Sequence, residues 1–187
     1  RGDGGHLEEI KGKSGFCEEF SIVYTPFIQR RDKDGIIMTK RAISACLLGK
    51  PCRYDGGSKP HATVAQNLGD ALPICPECLG GLPIPRAPSE IQGGDGTDVL
   101  AGRARVMSRD GQDVTEAFLK GAKAALQLCR EAGVQEAVLK ARSPSCGVGA
   151  IYDGSFSSHC RPGDGVTAAL LRANGIRVRT EEDQIRE

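Results

Sequence analysis

The sequence predicts an α/β fold: a single domain with a mostly parallel sheet flanked by helices. Short apolar runs at Ala42–Leu48, Leu72–Ile74 and Ala137–Leu139 read as strands, with Ile176–Val178 as a last one. Helical patterns fall between them, and alternating strand and helix favours parallel pairing through crossovers. A chain of 187 residues suits one substantial core.

Ala42–Leu48 is broken only by Ser44 and ends at Gly49, as a buried parallel strand would. Lys50 to Pro60 is rich in Gly, Pro and Lys and reads as loop. His61–Ala71 suits a short helix, and Leu72–Ile74 a strand running straight into Cys75. Gly80 to Gly96 reads as one long irregular connection, a kind usually kept for function. Asp113-Val114-Thr115-Glu116 has the form of a capping box. The helix after it carries an apolar stripe at Val114, Phe118, Ala122, Ala125, Leu126 and Cys129, and Gly133 closes it. Val166–Ala173 forms the last helix and Ile176–Val178 the last strand. The resulting expectation is a Rossmann-like sheet whose ligands sit beyond the carboxyl ends of its strands.

The first methionine is Met38, and the basic Thr39-Lys40-Arg41 before the first strand reads like the start of a domain. Residues 1–37 are expected to be leader, vector-derived or poorly ordered sequence, with a genuine extension carrying a strand at Ser21–Tyr24 as the alternative. The domain proper is then residues 38–187.

The formal net charge is +1, so no electrostatic footprint for nucleic acid or a membrane surface follows. No apolar run approaches the roughly 18 residues of a membrane span. Eight cysteines are many for this length. With no signal peptide and ordinary strand and helix patterns, a reducing cytoplasm with some thiols used for metal is the better reading than a disulfide framework.

Cys46, Cys75 and Cys146 each fall at or just past the end of an apolar run. Three thiolates converging beyond strand ends can hold an iron–sulfur cluster and leave one iron open to a substrate atom. Glu77 shares a turn with Cys75 and can act as general acid or base, its pKa expected to be raised by desolvation. Ser143 and Ser145 flank Cys146 and can donate hydrogen bonds to substrate, while Tyr54 and Arg86 can line a pocket. Cys129 reads as a small core hydrophobe, and Cys17 and Cys160 as incidental. A competing reading is a zinc-stabilised binding module on Cys46, Cys52, Cys75 and Cys78, although the gap from Cys46 to Cys52 is loose for zinc. Gly93-Gly94-Asp95-Gly96 does not match a phosphate loop, with no Lys-Ser/Thr and no clear helix start after it.

Taken together, Ser44-Ala45-Cys46-Leu47-Leu48-Gly49, Cys52-Arg53-Tyr54-Asp55-Gly56, Pro73-Ile74-Cys75-Pro76-Glu77, Gly81-Leu82-Pro83-Ile84-Pro85-Arg86, Gly111-Gln112-Asp113-Val114-Thr115, Lys140 with Ser143-Pro144-Ser145-Cys146-Gly147, and Gly163-Asp164-Gly165-Val166-Thr167 resemble the thiouracil desulfidase family, in order, from about Ala42 to Val178. The resemblance implies a cytoplasmic bacterial enzyme that takes sulfur from 2-thiouracil to give uracil and hydrogen sulfide. It implies a 4Fe–4S cluster with Cys46, Cys75 and Cys146 as ligands, and Glu77 and Ser143 as the catalytic pair. Cys78, directly after Cys75-Pro76-Glu77, departs from the pattern. A thiolated nucleoside or tRNA base is the alternative substrate, though the balanced charge argues against a large RNA footprint.

Overall fold

The computed structural model describes residues 41–68 and 71–183. The expectations for residues 1–37, including the Ser21–Tyr24 strand and the start at Met38, lie outside the described residues. In chain order the elements are β1 (Arg41–Ser44), α1 (Ala62–Asn67), β2 (Leu72–Ile74), α2 (Pro76–Leu79), β3 (Ser89–Gln92), α3 (Gly96–Leu100), β4 (Arg105–Ser108), α4 (Thr115–Glu131), β5 (Glu136–Leu139), β6 (Ala150–Tyr152), β7 (Cys160–Pro162), α5 (Val166–Ala173) and β8 (Arg177–Thr180). None of the described helices is long and apolar enough to cross a membrane.

The main sheet has four strands in the order β2-β1-β5-β8, every neighbouring pair parallel. The fold is therefore the α/β arrangement that the alternation predicts, its sheet flanked by helices. From β1 the chain steps outward to β2, then returns to the other side of β1 as β5. That reversal makes a topological switch point, where doubly wound sheets open a crevice at their carboxyl edge. Ala42 and Ile43 are fully buried, which explains the unbroken apolar run.

Beyond Ser44 the run departs from the strand expected of it. Ala45–Leu48 forms a 3-10 turn, ended by Gly49 in the left-handed region at φ 85°. Ala45, Cys46 and Leu47 there are still buried, so hydrophobicity alone did not mark where the strand stops.

The connection from Gly80 to Gly96 is not irregular throughout: it contains β3, which pairs antiparallel with β4. β6 and β7 form a second antiparallel pair. The expected capping box at Asp113 and Glu116 is also redrawn. Asp113 Oδ1 accepts the N–H and hydroxyl of Thr115, while Thr115 Oγ1 accepts the Val106 N–H, so the group stitches α4 to β4. A true capping box forms at Asp95 and Asp98, and it starts α3 directly after the glycine-rich stretch.

The stripe on α4 serves two cores. Ala125, Leu126 and Cys129 pack with Ile43, Leu47, Ile74 and Val138 under the main sheet. Phe118 and Ala122 pack with Ile91, Val106, Ile151 and Val166. The short α2 lies against α4 at backbone distance: a Cβ on Gly121 would stand 1.9 Å from the Pro76 carbonyl oxygen, and one on Gly80 2.1 Å from that of Ala117. Gly121→Ala is therefore expected to push α2 off α4 and lower stability by about 1–3 kcal/mol. Urea denaturation measures it, and an unchanged midpoint would refute the close approach.

Candidate metal and active site

All three motif cysteines follow strands that open on the carboxyl edge of the sheet. Cys46 lies in the 3-10 turn after β1, and Cys75 comes directly after β2 as the cap residue of α2. Pro76 takes the first helical position, where its missing N–H leaves nothing unsatisfied. The loop after β5 carries Cys146 and is folded by Ser143. Ser143 Oγ accepts the N–H groups of Ser145 and Cys146, both at 3.1 Å, and its carbonyl accepts that of Gly147 at 2.8 Å. Ser44 Oγ accepts the Lys140 N–H at 2.9 Å and ties the ends of β1 and β5 together.

These elements enclose a cavity of about 550 Å³ whose lining includes Cys46, Cys52, Cys75, Cys146, Glu77 and Ser143. The thiols interact. Hydrogen bonds to Cys46 and Cys75, together with burial, push the Cys52 thiol up. Hydrogen bonds from Cys52 and Cys78, helped by the positive charge of Arg86, draw the Cys75 thiol down against its burial. Burial pushes Cys146 up, opposed by a hydrogen bond with Ser44.

Among the described residues no group of three or more His, Cys, Asp or Glu side chains is gathered to hold a single metal ion. Of the four cysteines in the zinc reading, Cys78 does not line the cavity. The donor chemistry does fit an iron–sulfur cluster: soft thiols, brought from three strand ends, face a space far wider than one ion.

Glu77 lies in the first turn of α2, and its carboxylate is pinned by Arg86. Arg86 Nη2 lies 2.6 Å and Nε 2.8 Å from Glu77 Oε2, with further hydrogen bonds to the carbonyls of Cys52 and Pro83. Burial raises the Glu77 carboxyl; Arg86 opposes it, and the neighbouring Cys75 adds to it. Arg86 lines the cavity as expected of a pocket residue, but its guanidinium is committed to Glu77 and the backbone.

Tyr54 also lines the cavity, exposed, with the Arg53 guanidinium 5.5 Å from its ring centre. Ser145 does not. It is 1 % exposed, its hydroxyl pairs with Thr167 Oγ1 at 2.9 Å, and its carbonyl accepts the Thr167 and Ala168 N–H groups that open α5. The expected substrate contact of Ser145 is replaced by a structural one. A Cβ on Gly165 would stand 2.5 Å from the Ser145 carbonyl, so this loop sits directly on the start of α5.

Sequence reasoning missed Glu90 and Arg109, which also line the cavity. The signal was faint. Glu90 belongs to a four-residue strand hidden in a stretch read as irregular for its Gly and Pro content.

The description "2-thiouracil desulfurase" fits residues 42–183, a span that takes in every site residue named above. The chain belongs to the 2-thiouracil desulfurase family. Within and around that family, it is 43% identical over 143 residues to the uncharacterized protein YbbK of Bacillus subtilis (strain 168), a match spanning 75% of this chain and 95% of that protein. A solved structure described as a 4Fe–4S-dependent thiouracil desulfidase, TudS, superposes with a TM-score of 0.68 at 44% identity, covering 79% of this chain and 93% of that one.

Removing one partner of a buried ion pair costs about 3–5 kcal/mol. The 19% exposure of the Glu77 side chain sets the expectation for Arg86→Ala at the low end of that range, read by thermal unfolding. Burial pushes the Cys129 thiol up to about 12, whereas Cys160 is exposed. At about pH 8 a thiol reagent should label Cys160 in the native protein and reach Cys129 only on unfolding. Labelling of native Cys129, read by peptide mass spectrometry, would contradict its place in the core.

Proposed function

We propose that this protein is an iron–sulfur-dependent desulfidase that converts 2-thiouracil, or a related thiolated pyrimidine, to its oxygen counterpart and hydrogen sulfide. The observation that carries the reading is one cavity lined by thiols from three strand ends, an arginine-held carboxylate and a serine hydroxyl. Family membership supports it, as does the likeness to TudS. Cys46, Cys75 and Cys146 are the residues that would hold a 4Fe–4S cluster, and a cytoplasmic location suits such thiols. When bound, the cluster supplies a Lewis-acidic iron matched to a soft sulfur atom.

The net reaction replaces sulfur by the oxygen of water and needs no electrons from outside. Both hydrogens of the water leave with the sulfur as hydrogen sulfide. Glu77 is suited to take a proton from the attacking water, because burial raises its carboxyl toward the range where protons move readily, while Arg86 keeps it aimed. Ser143 has a fixed polarity. Its oxygen accepts two backbone N–H groups, so its own hydrogen is what it can offer to the ring or to the departing sulfur.

Anaerobic reconstitution with iron and sulfide, a visible spectrum and an assay of sulfide release from 2-thiouracil test the reading. A brown protein releasing sulfide and uracil is expected. A colourless protein that retains zinc would overturn it. Glu77→Ala should keep the colour and lose roughly 10²–10⁴-fold in kcat, the usual contribution of a positioned base. Cys46→Ser, Cys75→Ser and Cys146→Ser should each fail to retain the cluster, whereas Cys129→Ser should keep it.

A further inference from the structure

The cavity carries a second acidic side chain, in a setting unlike that of Glu77. Glu90 on β3 is 6% exposed and lines the cavity. Its Oε2 accepts the backbone N–H groups of Gly154 and Phe156, both at 2.9 Å. Gln92 Nε2 donates to the Gly154 carbonyl at 3.0 Å, and a Cβ on Gly154 would stand 2.6 Å from the Ile91 carbonyl oxygen. The loop is thus fastened to β3, and the carboxylate is held in one orientation.

The other oxygen, Oε1, accepts no hydrogen bond among the described residues, and no described cation pairs with Glu90. No fully buried side-chain oxygen in the described structure lacks a partner, so Oε1 must touch open space. For a cavity-lining residue this well covered, that space is the cavity. A carboxylate oxygen with no protein donor that faces a cavity is an open acceptor, and a ligand N–H can take the place of solvent there.

We propose that Glu90 is the specificity residue of the site: its free Oε1 accepts a ring N–H of the bound thiolated pyrimidine. This rests on the desulfidase reading and deepens it. A pyrimidine-2-thione carries an N–H on each side of its thiocarbonyl carbon, so a carboxylate acceptor in the same cavity as the thiols can read one of them beside the sulfur. A ring methylated at the nitrogen that Glu90 reads has lost the donor and brings a methyl group against the oxygen. Sites built to hydrogen-bond an N–H reject analogues lacking it by large factors. In Glu90→Gln the amide oxygen takes over the Gly154 and Phe156 N–H groups, which turns the NH2 toward the ligand and replaces an acceptor by a donor.

The test compares 2-thiouracil with its 1-methyl and 3-methyl derivatives on reconstituted wild-type protein and on Glu90→Gln, following sulfide release and, separately, calorimetric binding. Wild type should lose roughly 100-fold in kcat/KM on one of the two methylated rings. Glu90→Gln should raise KM for 2-thiouracil at least about tenfold with kcat nearly held, and should lose most of the discrimination between the rings. Wild-type protein that handles both methylated rings like the parent would overturn the proposal, whether or not the variant folds. So would a variant with unaltered KM and unaltered discrimination. Absence of sulfide release from every ring would instead sink the desulfidase reading. The binding arm then decides the assignment of Glu90 by itself: equal affinity of wild type for all three rings, or for none, would remove it.

Discussion

Parallel pairing of β1 with β2 on one side and β5 on the other is the constraint from which the site follows. The register puts Ser44 level with Ile74, so Cys75 stands one residue past the shared edge and Cys46 two. Parallel ladders fix side-chain direction, and a slip of one residue would turn every side chain to the opposite face. The Ser44 hydroxyl, bonded to the Lys140 amide, carries the same edge across to β5 and the Cys146 loop. Elements far apart in the chain thus reach one cavity from a shared sheet edge.

Around that edge the structure is assembled backbone to backbone. α2 meets α4 at Gly80 and Gly121, and the Cys146 loop meets α5 at Gly165. Contacts this close leave no room for side chains, and they set the positions of Glu77 and Cys146 with little slack. The two acidic groups of the cavity differ accordingly. Glu77 is neutralised by a buried guanidinium, while Glu90 is held by two amides and left open on one oxygen.

The main sheet was legible at β1, β2 and β5, which are built on short apolar runs separated by helical stripes. β8 instead carries two arginines and runs from Arg177 to Thr180 rather than over the expected Ile176–Val178. Val166–Ala173 matches α5 end to end, and the buried face of α4 is the stripe its sequence shows. What escaped were the elements whose order comes from tertiary contact. β3, β4 and β7 are as short as the main-sheet strands but mix polar or charged residues with few apolar ones, so no run stands out. The start of α3 hid behind glycines, since a capping box built on two aspartates has no apolar run after it to announce a helix. In the site, the cysteines and Glu77 stood out by chemical type. Ser145 misled because sequence cannot tell which of two serines in Ser143-Pro144-Ser145 faces the cavity, and Glu90 stayed silent because a lone glutamate resembles any solvated charge.

The loop that carries Cys146 is held from downstream. The first amides of α5 bond to the carbonyls of Pro144 and Ser145, and the Glu181 carboxylate grips the Ala141 amide at 2.7 Å and the Lys140 ammonium at 2.5 Å. A chain made from its amino end has Cys46 and Cys75 available early, yet the Cys146 loop gains its grips from α5 and Glu181 only when those later residues have emerged. The pocket is therefore closed by contacts from chain that lies beyond all three motif cysteines, and a cofactor destined for it meets the complete set of thiols only after those contacts form.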